Sequence, residues 1–211
     1  MPANPALPLV ILGAGGLARE LLGWMARLPG HAMPTALVQT APPATDECLG
    51  LPVLTLDAVQ GPARFIVGVG SPRVKRELVQ AALERGWVAE TYVDPSALIG
   101  LNVSIGRGAV ICPFCTVSTN ASIGEFATLN CRSGVGHESV VGSYSTLLGS
   151  NNVNGNVEVG SDVTLGCASS IHPGRRIGHG ATVGIGAVVI SNVRAQTSVF
   201  GVPAKRLAAT R

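Results

Sequence analysis

One residue in every six is aliphatic, without interruption, over about half of the chain. A repeat of fixed short period is typical of stacked structural units that bury their apolar sides only against one another. The pattern therefore predicts a solenoid of short strands with the aliphatic side chains inside. The seventeen positions are Val93, Ile99, Ile105, Ile111, Val117, Ile123, Leu129, Val135, Val141, Leu147, Val153, Val159, Leu165, Ile171, Ile177, Val183 and Val189.

Two further columns follow the same period. The residue two places before the aliphatic one is small or Val, apart from breaks at Asn151 and Arg175. We expect it to fit beside the aliphatic side chain in the interior. The residue after the aliphatic one is often glycine, as at Gly136, and we interpret this glycine as relief of strain at a sharp corner.

The composition agrees with stacked strands and excludes several classes. Hydrophobic residues make up 46% of the chain, which argues against disorder. Charged residues make up 13% and aromatic residues 4%, while there are 27 glycines, a balance that favours strands and tight corners over helices. The net charge of +3 comes from scattered basic residues, so no nucleic-acid partner is expected.

The hexads resemble those of the hexapeptide-repeat acyltransferases. The resemblance implies a left-handed parallel β-helix of triangular section, in which three successive hexads make one coil. The repeat would then form about six coils, from Val93 to about Val193. Because coils stack at the spacing of β-strands, residues three hexads apart should lie directly above one another. The resemblance also implies a homotrimer with active sites between subunits.

The first ninety residues predict a small doubly wound, Rossmann-like α/β unit. Strands are expected at 7–12, 35–39 and 64–69, with helices from Leu17 to Leu28 and from the Ser71 N-cap to about Arg85. We expect three segments in all: an α/β substrate-binding domain at 1–90, the β-helix at 91–199 and a tail at 200–211.

Two glycine-containing loops should lie at the carboxyl edge of this sheet, where ligands dock in such folds. The loops are Gly13–Ala18, which matches GxGxxA, and Gly70–Arg73. The turn before a helix can hold an anion with its free N–H groups, although the glycines also suit tight turns alone. No acidic residue follows the second strand at Gln39 and Thr40, so a bound NAD is not expected.

The α/β unit, the repeat and the closing Gly-Val-Pro-Ala-Lys-Arg at 201–206 together narrow the resemblance. They look like the sugar acetyltransferases that include the bacillosamine-pathway and perosamine N-acetyltransferases and relatives of the sialic acid O-acetyltransferases. This implies acetyl transfer from acetyl-CoA, without a metal, to an amino or hydroxyl group of a sugar, above all a nucleotide-linked amino sugar. The acceptor would lie against Gly15, Gly16, Leu17 and Gly70.

The same resemblance assigns the chemistry. His137, followed by the acid Glu138, matches the general base of the family, and an imidazole titrates in the range that this task needs. Gly155 lies three hexads after His137, so it should stack above it and offer its N–H to the oxyanion. Asn130, which precedes His137 by a little more than one hexad, matches another residue that lines the site.

Coenzyme contacts are implied at Cys167 and Ile185, which are three hexads apart, and at Pro203 and Lys205 in the tail. Thr146 is a further candidate for contact with the coenzyme, because it stands where the bacillosamine-type enzymes contact acetyl-CoA through a second histidine. Leu17, Gln39 and Thr40 also depart from the pattern of those enzymes. The sequence therefore leaves open which sugar and nucleotide are bound and whether N or O is acetylated.

Two other functions compete with this interpretation. The γ-class carbonic anhydrases share the prism and bind zinc through three histidines, and this chain has His137, His172 and His179. The spacing of seven between the last two differs from the usual five. A non-catalytic trimeric binding scaffold is the second alternative. Cys112 and Cys115 match CxxC, but we expect them to point apart and fill space.

The remaining expectations concern location. The N-terminus does not read as a signal peptide, and no apolar stretch reaches membrane-spanning length. The five cysteines are an odd number, which favours reduced thiols and a cytoplasmic protein. His31 is expected on a surface loop.

Overall fold

The computed structural model describes residues 6–30, 32–42 and 44–207, so His31 lies outside the described residues. The chain divides into two compact units, Met1–Thr91 and Tyr92–Arg211. The boundary falls directly before the first hexad of the repeat.

The first unit contains a six-stranded sheet in the order β3-β4-β2-β1-β5-β6. Its pairs are parallel except for the hairpin of β3 and β4. The three predicted strands are present and somewhat shorter than expected, whereas β3, β4 and β6 were not predicted. The strands are β1 (Leu9–Leu12), β2 (Ala36–Gln39), β3 (Glu47–Cys48), β4 (Leu51–Thr55), β5 (Arg64–Val67) and β6 (Val88–Ala89).

Two helices accompany this sheet, and a short 3₁₀ helix spans Leu56–Ala58. Helix α1 runs over Gly16–Met25 and buries Ala18, Leu21, Leu22 and Met25, the three- and four-residue spacing of one helix face. Helix α2 runs over Pro72–Glu84 with proline in its first turn. Ser71 is the N-cap residue, as predicted, but its side chain makes no capping hydrogen bond.

The second unit is a parallel β-helix, and every hexad contributes one two-residue strand whose second residue is the aliphatic one. The strands are β7 (Tyr92–Val93), β8 (Leu98–Ile99), β9 (Ser104–Ile105), β10 (Val110–Ile111), β11 (Thr116–Val117), β12 (Ser122–Ile123), β13 (Thr128–Leu129), β14 (Gly134–Val135), β15 (Val140–Val141), β16 (Thr146–Leu147), β17 (Asn152–Val153), β18 (Glu158–Val159), β19 (Thr164–Leu165), β20 (Ser170–Ile171), β21 (Arg176–Ile177), β22 (Thr182–Val183), β23 (Val188–Val189), β24 (Ser198–Phe200) and β25 (Lys205–Arg206).

The predicted register of three hexads per coil is confirmed. Leu129 pairs with Ile111 on one side and with Leu147 on the other. Three sheets result, one on each face of the prism. The first sheet runs β25-β24-β22-β19-β16-β13-β10-β7, the second β23-β20-β17-β14-β11-β8 and the third β21-β18-β15-β12-β9. When β24 is included, the first face has seven parallel strands, one more than the six coils that the sequence predicted.

The glycines that follow the aliphatic residues serve a different purpose from the one predicted. Gly136 lies outside the left-handed region, and a Cβ there would come within 2.5 Å of the Gly155 nitrogen in the next coil. The residues with positive φ stand two places further on, as at Glu138. The interpretation as relief of corner strain was therefore wrong: these glycines permit close stacking of the coils.

Asn151 breaks the column of small interior residues, yet it is fully buried and well bonded. Its Nδ2 donates to the Gly166 carbonyl at 2.6 Å and to Ser169 Oγ at 2.8 Å. Its Oδ1 accepts from the Gly149 N–H at 3.0 Å and from Ser133 Oγ at 3.4 Å. The amide thus satisfies polar groups of three successive coils.

Replacing Asn151 with Ala removes the four hydrogen bonds of this fully buried amide and should lower the free energy of unfolding by about 2–3 kcal/mol. Denaturant titration followed by circular dichroism measures the change. Asn152→Ala is the matched control, because the neighbouring amide is exposed and its hydrogen bond to Ser170 Oγ is long, at 3.4 Å. Equal stability of the two variants would contradict this account of Asn151.

Candidate active site

The second face of the β-helix carries an open groove of about 650 Å³. Its floor is formed by strands β8, β11, β14 and β17 and its edge by the corners that follow them. His137 and Gly155 both border the groove. The lining residues are Leu98–Gly100, Thr116–Ser118, Gly134–His137, Asn152–Gly155 and Pro173.

His137 lies at the corner that follows β14, and 59% of its side chain is exposed. Its Nδ1 makes a hydrogen bond with Oε2 of Glu138. Because an ionised carboxylate only accepts, Nδ1 is the donor of this bond, and in the neutral imidazole the lone pair then lies on Nε2. The backbone of the pair is held from both neighbouring coils, since Asn156 N–H donates to the His137 carbonyl at 2.9 Å and Glu138 N–H donates to the Thr119 carbonyl at 3.1 Å.

Gly155 lies one coil above His137, as the stacking rule predicted. A Cβ at position 155 would come within 2.6 Å of His137 Cε1 and still closer to Nε2. The imidazole therefore lies directly against the Gly155 backbone, and no larger residue fits without moving the ring. Within the described residues, no acceptor is found for the Gly155 N–H.

Glu138 occupies a backbone position that suits other residues better. Its φ is 53°, in the left-handed region that a glutamate seldom adopts. The same corner in other coils carries Asn102, Asn120 and Asn156, with φ of 55°, 59° and 58°, and then Gly174. The left-handed conformation recurs at other corners of the β-helix, as at Phe114, Arg132 and Tyr144, so it is a feature of the fold and does not by itself mark a functional residue. Hydrogen bonds from His137 and then from Asn120 hold the pKa of the Glu138 carboxyl below its ordinary value, so the carboxylate is charged near neutral pH.

Asn130 and Thr146 do not line this groove. Asn130 follows β13 on another edge of the prism, and its Oδ1 accepts from the Cys131 N–H at 2.7 Å. Thr146 lies on β16 with only 1% of its surface exposed. Within one described chain, neither side chain is brought to His137.

Two of the predicted coenzyme-binding residues lie on the edge of the prism that follows the first sheet, as Asn130 does. The other two lie at the C-terminal end of the β-helix. Cys167 and Ile185 are both exposed and stacked, with Gly186 N–H donating to the Cys167 carbonyl at 2.9 Å. Pro203 and Lys205 are exposed around the turn into β25. None of the four lines the His137 groove.

A second pocket, of about 310 Å³, lies at the carboxyl edge of the α/β sheet. It brings together all four predicted acceptor-binding residues, Gly15, Gly16, Leu17 and Gly70. Gln39 and Thr40 also line it, and the Gln39 amide donates to the Ala41 carbonyl at 3.0 Å. The two glycine loops predicted to meet at this edge therefore do so.

The zinc alternative finds no support in the geometry. Nowhere in the described part of the chain do three His, Cys, Asp or Glu side chains converge as a metal site would require. His172 bonds the Pro173 carbonyl at 3.1 Å, and His179 lies on the third-sheet edge, 3.3 Å from Asp162.

Cys112 and Cys115 are fully buried and are not joined in a disulfide. Cys115 Sγ lies 3.5 Å from the Leu129 carbonyl, and burial raises the pKa of its thiol to about 11. A thiol with so high a pKa is a poor nucleophile at neutral pH. The complete burial of both side chains agrees with the predicted role of filling space.

In the described ranges, neither helix has the length and apolar character needed to cross a bilayer.

No protein-family model matches the sequence, and no curated protein matches it significantly. Solved structures do resemble it along its length. WeeI from Acinetobacter baumannii AYE superposes with a TM-score of 0.84 at 28% identity, covering 95% of this chain and 99% of that one. A mutant of perosamine N-acetyltransferase from Caulobacter crescentus, in complex with CoA and GDP-perosamine, gives 0.80 at 25% identity, with 95% and 97% covered.

The acetyltransferase domain of PglB from Neisseria gonorrhoeae FA1090 gives a TM-score of 0.72 at 22% identity, with 95% and 99% covered, and so shares the fold. The likeness spans both the α/β unit and the β-helix of this chain. The resemblance predicted from the hexads and the glycine loops is therefore confirmed: the structural neighbours of this chain include sugar acetyltransferases such as the perosamine N-acetyltransferase.

Proposed function

We propose that this protein transfers an acetyl group from acetyl-CoA to an amino or hydroxyl group of a sugar, with His137 as general base. The observation that carries the proposal is the His137–Glu138 pair, packed against Gly155 at the edge of an open groove. The fold is shared with the perosamine N-acetyltransferase that was solved with CoA and GDP-perosamine. A pure scaffold needs no such arrangement.

The geometry supports a direct transfer. His137 Nε2 takes a proton from the attacking amine or hydroxyl as that group adds to the thioester carbonyl. The Gly155 N–H donates to the oxygen that becomes negative in the tetrahedral intermediate. When the carbon–sulfur bond breaks, the CoA thiolate leaves and receives the proton from the imidazolium. Glu138 stabilises the imidazolium between these steps.

We further propose that the pocket at the α/β edge binds the acceptor, a nucleotide-linked amino sugar. Gly15 is the N-cap residue of helix α1 and Gly16 is its first residue, where free N–H groups favour a phosphate. The bound GDP-perosamine of the Caulobacter crescentus enzyme supports this acceptor class. Gln39 and Thr40 stand at the end of β2, at the positions that should select the base.

A homotrimer completes the proposal. His137 follows the second sheet, whereas Asn130, Cys167 and Ile185 follow the first, so these two groups lie on different edges of one prism. A second copy would have to bring its first-sheet edge to the His137 edge. Exposed apolar side chains such as Leu98, Leu101 and Phe114, with exposures of 70%, 77% and 63%, are consistent with a subunit interface.

A thiol-release assay tests the proposal. Acetyl-CoA is offered with GDP-, UDP- and dTDP-linked amino sugars and with free sialic acid. We expect release with one nucleotide-linked amino sugar, and the product identified by mass spectrometry then shows whether N or O is acetylated. Bound acetyl-CoA without transfer to any member of the panel would favour a binding scaffold.

Glu138→Asn separates stability from activity. Asparagine adopts the left-handed conformation more readily and fits the three asparagines of the same corner, so we expect an unfolding midpoint at or slightly above that of the wild type. Turnover should fall at least tenfold because the acid partner of His137 is lost. Thermal unfolding and kcat/KM measure the two effects, and an Asn variant of unchanged kcat/KM would remove Glu138 from the mechanism.

A further inference from the structure

A line of side chains at the corner that follows the second sheet leads to the His137–Glu138 pair. Asn102, Asn120 and Glu138 are spaced three hexads apart and therefore stack in successive coils. Asn102 Nδ2 donates to Asn120 Oδ1 at 3.1 Å, and Asn120 Nδ2 donates to Glu138 Oε1 at 3.3 Å. The second carboxylate oxygen, Oε2, bonds His137 Nδ1. Both oxygens of Glu138 are thus engaged.

The hydrogen bonds give this line a direction. An asparagine amide presents either its oxygen or its nitrogen to a neighbour. Because Asn102 donates to the Asn120 oxygen, the Asn120 nitrogen faces Glu138 and offers the donor that a carboxylate requires. The left-handed backbone of both asparagines is one that this residue type adopts readily, so the arrangement costs little locally.

An exposed glutamate samples several rotamers, and only some of them place a carboxylate oxygen on Nδ1 of the adjacent histidine. A donor on the opposite oxygen restricts that choice. We propose that Asn120 is a positioning residue, which holds Glu138 so that Oε2 meets His137 Nδ1 and the lone pair stays on Nε2. This rests on the proposed function, in which His137 Nε2 is the base.

Asn120→Gly tests the proposal with little backbone strain, because glycine adopts positive φ freely and already occupies position 174 of the same corner. Asn156→Gly is the matched control: Asn156 is exposed, has φ 58° and makes no hydrogen bond with the Glu138 carboxylate in the described part of the chain. Nitrogen-15 NMR of the imidazoles, at a pH at which they are neutral, reports the tautomer, and His137→Gln assigns the signal.

In the wild type we expect His137 as the Nδ1–H tautomer. Asn120→Gly should give a mixture of tautomers, and Asn156→Gly should match the wild type. An unchanged tautomer in Asn120→Gly, or an equal change in both glycine variants, would overturn the positioning role. A wild-type His137 that is not Nδ1–H would instead contradict the His137–Glu138 pair itself, and thus the proposed function.

Kinetics with the acceptor found in the thiol-release panel supply a second readout. We expect Asn120→Gly to lower kcat about fivefold with little change in either KM, an effect of the size of one lost hydrogen bond. In a Glu138→Gln background the same substitution should have no further effect, because Asn120 acts through the carboxylate. Losses that multiply would show that Asn120 acts by another route.

Discussion

Replacing His137 with alanine lowers kcat/KM by about a hundredfold or more, the loss expected when a general base is removed. The reason is that, of the described residues that line the groove, only His137 has a side chain that can take up a proton near neutral pH. Because 59% of the His137 side chain is exposed, the free energy of unfolding should change little. Steady-state kinetics with acetyl-CoA and the acceptor, beside thermal unfolding, measure both.

His179→Ala is the matched control for that substitution. His179 also pairs with an acid, at 3.3 Å from Asp162, and 57% of its side chain is exposed. It lies on the third-sheet edge and does not line the groove. The His179→Ala variant should therefore retain wild-type kcat/KM. Equal losses in the two variants, or a His137→Ala variant of wild-type activity, would remove His137 from the role of base.

Gly155→Ala should lower kcat/KM nearly as much as His137→Ala does. The added methyl group would come within 2.6 Å of His137 Cε1, so the ring must move, and a displacement of about 1 Å from the reacting geometry can cost about a hundredfold in rate. The same shift would disturb the N–H proposed to stabilise the oxyanion. We expect kcat/KM to fall about a hundredfold, measured in the same assay.

Two further variants test whether contact between the added methyl group and the His137 ring causes the fall in kcat/KM. Gly134 lines the same groove. In Gly134→Ala the added methyl group would meet no atom closer than the Thr116 hydroxyl at 3.3 Å, so kcat/KM should be largely kept. In His137→Ala the ring is absent, and adding Gly155→Ala there should cause no loss of stability. Wild-type kcat/KM in Gly155→Ala would contradict the contact between this residue and the base.

The arrangement of the site along the chain was predictable because the repeat has a fixed period. Once the register of three hexads per coil is known, the position of Gly155 above His137 follows by counting, and no side-chain detail is needed. The glycine loops of the α/β unit were predictable for a similar reason, because the carboxyl ends of parallel strands meet at one edge. The structure confirms both.

Other features depend on geometry that the pattern does not contain. The glycines after the aliphatic residues were interpreted as corner relief, but their role depends on the distance to the next coil, which only coordinates reveal. Strands β3 and β6 have two residues each and carry no periodic signal. The line from Asn102 through Asn120 had a readable signal, since asparagines recur in the phase of Glu138, but its hydrogen bonds depend on the left-handed backbone there.

The resemblance assigned Asn130, Cys167 and Ile185 to the same site as His137, whereas a single chain places them on another edge of the prism. Their roles stay predictions that require a second copy. The role of Thr146 also stays a prediction; its burial within one chain could not be read from its position in the repeat.

Calorimetric titration with acetyl-CoA tests the central claim most directly, because it does not require the acceptor to be known. We predict saturable binding of about one molecule per chain, with a dissociation constant in the range of about 1 μM to 1 mM that is common for enzyme substrates. His137→Ala should bind with similar affinity, since the base acts in the chemical step. The absence of binding to the wild-type protein at millimolar acetyl-CoA would contradict the assignment as an acetyltransferase.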